Sequence, residues 1–171
     1  MELRHVLAEN FLFGYWDKSY DIQRTIRNDI TPDDDDDPDY YTKEKTLTNY
    51  KKMSGIFSYL SYDILNIMNF MVGYQTMGEG ENKYNSFSSS LNLNPSLIPK
   101  FKKVELFYQA NNETNPFDKS PGTIHGYNIG IELSNSVVLL YKGQTTYIND
   151  IDNPGEVTPN FNLQVETQIA I

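Results

Sequence analysis

The 171-residue chain has no cysteine, two histidines, one tryptophan, and only three alanines and three arginines. Each scarcity removes a class of chemistry. Without cysteine there are no disulfide staples, thiolate zinc sites, iron–sulfur clusters or thiol nucleophiles, and the redox compartment is left open. Lys+Arg number 14 against 23 Asp+Glu, a formal net charge of −9 at pH 7. Such a chain does not coat phosphate by bulk charge, so no direct sequence-specific nucleic-acid binding is expected.

His5 and His125 are the only side chains that titrate near neutrality unperturbed, and they stand far apart in the sequence, a poor start for acid–base catalysis. No G-x-S-x-G, no G-x-x-x-x-G-K-[ST] and no strand-linked G-x-G-x-x-G occurs, which removes the usual signals of a serine hydrolase or a nucleotide site. No enzyme is expected, and no catalytic or cofactor-binding residues are assigned. Met1-Glu2-Leu3-Arg4-His5 does not open a secretory signal, which needs a basic start followed by an unbroken apolar run. The best candidate for a spanning helix, Gly55 to Tyr74, carries Asp63, Asn66 and Asn69 in its middle. Each is costly in lipid, so no membrane span is expected.

Asn (18), Ile (14), Tyr (13) and Lys (11) are numerous. Their codons are A/T-rich, a coding bias rather than a chemical signal. In the first half, apolar residues recur at helical spacing. Leu3, Val6, Leu7 and Phe11 predict one helix, and Ile22, Ile26 and Ile30 a second that ends at Thr31-Pro32. Thr42 offers an N-cap for a third. Met53, Ile56, Phe57, Leu60, Ile64, Ile67, Met68 and Met71 follow at intervals of 3, 1, 3, 4, 3, 1 and 3, which predicts a long amphipathic helix. Residues 78–100, rich in Ser, Asn, Gly and Pro, read as a linker or extended arm.

Beyond Lys100 the apolar period changes to two: Val104, Leu106 and Tyr108, then Tyr127, Ile129, Ile131 and Leu133, then Phe161, Leu163 and Val165. Ser134-Asn135 is placed for a tight hairpin. The expected fold is therefore α+β: an N-terminal helical region over 1–77 with about three helices, a linker over 78–100, and an antiparallel sheet or sandwich of about five strands over 101–171.

One constellation has metal-ligand spacing. Asp33, Asp35, Asp37, Asp39 and Glu44 fall at positions 1, 3, 5, 7 and 12 of a twelve-residue window, the oxygen-ligand pattern of an EF-hand loop, which makes them candidate Ca²⁺ ligands. Pro38 stands where that loop needs a glycine, and alternate positions of an Asp run match the pattern trivially. A solvated charge run is the simpler account. The abundant aromatics suggest contact surfaces, and Tyr59, Tyr62, Phe70, Tyr84 and Phe87 are the candidate interface residues.

These features together favour a non-catalytic structural or assembly protein acting through protein–protein contacts, as a homo-oligomer or with neighbouring subunits. A phage virion component such as a head–tail connector, neck, collar or tail-joining ring subunit fits the helix-plus-β organisation, with localisation in the virion and otherwise in the cytoplasm. The alternative is an acidic binding module, an inhibitor, immunity or DNA-mimic protein, that masks a basic site on its target.

Overall fold

In a computed structural model, residues 2–8, 25–28, 39–42, 45, 53–78, 83–111, 115, 117–150, 153 and 155–169 are described, and the fold among them is all-β. The strands are β1 (Glu2–Ala8), β2 (Thr25–Asn28), β3 (Asp39–Thr42), β4 (Met53–Ile64), β5 (Met68–Met77), β6 (Tyr84–Leu93), β7 (Phe101–Asn111), β8 (Thr123–Ser134), β9 (Val137–Asn149) and β10 (Val157–Ile169). Eight of them form one sheet in the order β1-β4-β5-β6-β7-β8-β9-β10, and β2 pairs with β3 separately. Every pairing is antiparallel. From β4 to β10 each strand lies beside its neighbour in sequence, an up-and-down meander.

The α+β expectation is thus corrected, most clearly at the segment with the strongest helical stripe. Residues 53–71 are not a helix but β4, a turn and the start of β5, paired from Gly55↔Met77 to Ile64↔Met68. The same residues alternate as well as they spiral. Ile56, Leu60, Tyr62 and Ile64 lie on one side of the strand, while Phe57, Tyr59, Ser61 and Asp63 lie on the other. Its β-branched and aromatic residues suit a pleated surface, where tertiary pairing overrides a weak helix preference. The reversal lies at Leu65 and Asn66, with φ of 50° and 58°, closed by a hydrogen bond from Ile67 N to Ile64 O of 2.8 Å. Two successive positive φ values are the mark of a type I′ hairpin turn. No glycine announces it.

Other expected helices meet the same correction where they are described. The first stripe contains β1 and the second contains β2. Within 78–100, Tyr84–Leu93 is β6, paired on one side with β5 and on the other with β7, so its serine-rich backbone is held in the ladder from both flanks. After Lys100 the alternating residues form β7 to β10, and the chain reverses between β8 and β9 at Asn135 and Ser136. The connections at this end of the sheet are 65–67, 94–100 and 135–136, while β5, β7 and β9 finish at the opposite end with Met77, Asn111 and Asn149.

Candidate functional site

Residues paired across an antiparallel ladder project to the same side, and successive residues alternate. The register therefore assigns each side chain in β4–β10 to a face. One row, strand by strand from β4 to β10, reads Tyr62, Phe70, Leu91, Leu106, Tyr127, Gly143 and Leu163. The next row on that face reads Ile64, Met68, Leu93, Val104, Ile129, Tyr141 and Val165. A row on the opposite face reads Asp63, Asn69, Asn92, Glu105, Asn128, Lys142 and Gln164.

Charge is fully segregated between these faces. Asp63, Lys103, Glu105, Glu132, Lys142 and Glu166 all lie on the polar face, and no Asp, Glu, Lys or Arg lies on the apolar face of β4–β10. Lys102 is the extra residue where the β7–β8 register shifts between Phe101 and Lys103. It pairs with Glu132 at 3.2 Å.

The two faces differ in exposure, and the charge-bearing face is the more sheltered one. The apolar face is open: Leu60 is 51 % exposed, Tyr62 65 %, Leu106 52 %, Leu163 53 % and Ile169 68 %. The charge-bearing face buries apolar side chains, Met77 at 0 %, Ile124 at 1 % and Leu140 at 5 %, together with Gln75 at 1 %, Glu105 at 8 % and Thr146 at 7 %, while on the apolar face Ala110 and Tyr147 are the buried hydrophobic residues. The polar face satisfies its groups internally. Glu105 Oε2 accepts from Asn128 Nδ2 at 2.8 Å and pairs with Lys103 Nζ at 3.1 Å. Asn69 Nδ2 donates to Asp63 Oδ1 at 2.7 Å and to Ser61 Oγ at 3.0 Å, and Lys142 Nζ pairs with Glu166 Oε1 at 2.7 Å. A cleft of about 200 Å³ opens beside Tyr59, Met71, Ser88, Ser90, Glu105 and Phe107. Its one carboxylate is already engaged by Lys103 and Asn128.

On the apolar face a group of aromatic rings lies towards the end where β5 and β7 finish with Met77 and Asn111, and Tyr62, Phe70 and Tyr141 lie towards the other end. Tyr74 and Phe87 are cross-strand partners. Phe87 lies 6.2 Å from Tyr108 and 5.8 Å from Phe117. His125 stacks on Tyr108 at 6.5 Å and 21°, with Tyr147 6.0 Å away on its other flank. The surroundings of His125 are thus aromatic, as in a packed surface row.

Of the five aromatic residues expected at an interface, Tyr62, Phe70 and Phe87 share the apolar face. Tyr59 and Tyr84 lie on the polar face, where Tyr84 is buried and the Tyr59 hydroxyl donates to Met71 Sδ at 3.3 Å. A period-two stripe gives no sign of whether it faces a core or the outside, which hides Leu106, Leu163 and Val165 as members of the apolar face, and Leu60 is hidden by the helical spacing of its neighbours. The candidate cation ligands Asp33, Asp35, Asp37 and Glu44 lie outside the described residues, and Asp39 is the first residue of β3. Among the described residues there is no group of three or more His, Cys, Asp and Glu side chains placed to hold a metal. No helix among them is long and apolar enough to cross a membrane.

Comparison of the chain with protein-family models, with curated proteins and with solved structures finds no match.

Proposed function

We propose that the protein is a non-catalytic structural component: a sheet that acts as a wall between unlike surroundings, with its apolar side covered in the working state. The observation that carries this reading is the complete segregation of strand charge onto one face while the opposite face stays apolar and open. Apolar surface removed from water stabilises by roughly 25 cal/mol per Å², and contiguous exposed patches beyond a few hundred Å² mark sites of contact. Catalysis would instead need titratable groups held free in a cleft. Here the carboxylates of Glu105, Glu132 and Glu166 are each engaged by lysine.

The expectation of a virion ring subunit drew on a helical front half, and strands now stand in its place. What carries over is action by contact. The acidic-module alternative gains nothing from the sheet, where Glu105, Glu132 and Glu166 each pair with a lysine rather than forming an acidic track.

The absence of cysteine makes the test clean. Single substitutions Leu106→Cys and Leu163→Cys on the apolar face, with Ser136→Cys in a turn as reference, are treated with a water-soluble maleimide in cells expressing the full chain. The expected result is fast labelling of the turn and slow labelling of the apolar face. Equal rates at all three sites would mean a bare face and would end this reading.

A further inference from the structure

We infer that what covers the apolar face is the hydrocarbon of a lipid bilayer, so that β4–β10 form part of the wall of a membrane-embedded β-barrel. The inference rests on the wall reading and names its partner.

The first support is the direction of the amphipathicity. In a water-soluble sandwich the side turned away from the second layer is solvated, and buried residues lie on the apolar side. Here the uncharged side carries the exposed Leu60, Tyr62, Phe70, Leu106 and Leu163, while every strand charge lies on the sheltered side, where Gln75 and Glu105 are 1 % and 8 % exposed beside the buried Met77, Ile124 and Leu140. Polar-in and apolar-out is the alternation of a sheet whose outer solvent is lipid.

Length is the second. β9 and β10 have 13 residues each. At ~3.3 Å per residue such a strand runs about 40 Å, and tilted by about 40° it rises about 30 Å, the thickness of a hydrocarbon core. Topology and aromatic placement agree. From β4 to β10 the sheet is an antiparallel meander of sequence neighbours, the connectivity of membrane barrels. Tyr74, Phe87, Tyr108 and Tyr147 lie towards one end of the apolar face and Tyr62, Phe70 and Tyr141 towards the other, as rings do at headgroup boundaries, where an apolar body and a polar tip are both accommodated.

Hydrocarbon does not tolerate an open ladder. β10 has β9 as its only partner among the described residues and is exposed along nearly its whole length. In the bilayer its outer edge must be closed by another strand.

The full chain, reconstituted into phosphatidylcholine vesicles, carries single nitroxide labels at Ile129→Cys, Leu163→Cys and Val165→Cys on the apolar face, and at Asn128→Cys, Gln144→Cys and Gln164→Cys on the polar face. Collision with O₂, which concentrates in lipid, and with a water-soluble nickel chelate is measured at each site. The expected result is high O₂ and low nickel accessibility at the three apolar sites, and a several-fold reversal of that ratio at the polar sites. Apolar sites shielded from both reagents would show a face packed on protein, a second copy included, overturning the bilayer and leaving the wall reading intact. Apolar sites open to nickel would overturn both. Failure of the unlabelled chain to float with the vesicles would overturn the bilayer assignment alone.

Discussion

The ring of Tyr127 lies over Gly143, its directly opposed partner on the neighbouring strand. A Cβ built on Gly143 would overlap the ring at Cζ and Cε1 and stand 2.7 Å from Oη. The missing side chain is therefore the seat of the aromatic ring, on the face that carries Leu106 and Leu163 in the same row. Gly143→Ala must displace Tyr127 or shift β9. Overpacking of this kind costs about 1–3 kcal/mol, which lowers the midpoint of chemical unfolding. In the double variant with Tyr127→Ala the loss from Gly143→Ala should largely vanish, because the obstructing ring is gone.

Position on the apolar face sets the cost of a charge. Leu106→Lys, in a row with apolar or aromatic neighbours on both sides, should lose about 2–4 kcal/mol in bilayers, and Ile56→Lys, whose row also holds Thr76 and Asn85, about 0–1. Equilibrium unfolding from vesicles measures both. Equal penalties at the two positions would contradict a depth-dependent surrounding.

Glu105 is held on the polar face by Asn128 at 2.8 Å and Lys103 at 3.1 Å while only 8 % exposed. Glu105→Leu leaves both donors without their acceptor and should destabilise by about 1–3 kcal/mol. Glu105→Gln keeps an acceptor oxygen and should lose less than half of that. Thermal unfolding of the pair checks the order.

The turn at Leu65 stores avoidable strain. Leu65 has φ of 50° and is 83 % exposed, so its side chain gains little packing in return for a left-handed backbone. Such a conformation costs a non-glycine residue roughly 1–2 kcal/mol, and asparagine less. Leu65→Asn is expected to stabilise by about 0.5–1 kcal/mol, read as a higher urea midpoint at unchanged slope.

Asn94 ties that turn to the next one. Its Nδ2 donates to Asn66 O at 2.8 Å, while its Oδ1 accepts from Ser96 N at 3.1 Å and Ser96 Oγ at 2.8 Å. Together these bonds cap the short 3-10 turn Pro95–Leu97 and link two connections at one end of the sheet. Asn94→Ala should cost about 1–2 kcal/mol and raise amide exchange at Ser96, whose N–H loses its acceptor.

Legible in the residues alone were the period-two alternation of β7, β8 and β10, the reversal near Ser134-Asn135, and the poverty in reactive side chains. These are local properties: alternation is a repeat of two along one strand, and reactivity is a matter of residue type. Tertiary structure decided the rest. Between Met53 and Met77 the aliphatic residues fit both a helical and an alternating pattern, and the turn at Leu65-Asn66 has no glycine to mark it, so only pairing with β5 selects the strand. The serines of β6 belong to a strand because β5 and β7 satisfy its backbone from both sides. Most of all, a sequence does not say which residues of different strands share a face, because that is fixed by register, and a slip of one residue exchanges the two faces. Register brought Leu106, Tyr127 and Leu163 into one uncharged row and placed Glu105, Asn128 and Lys142 behind it.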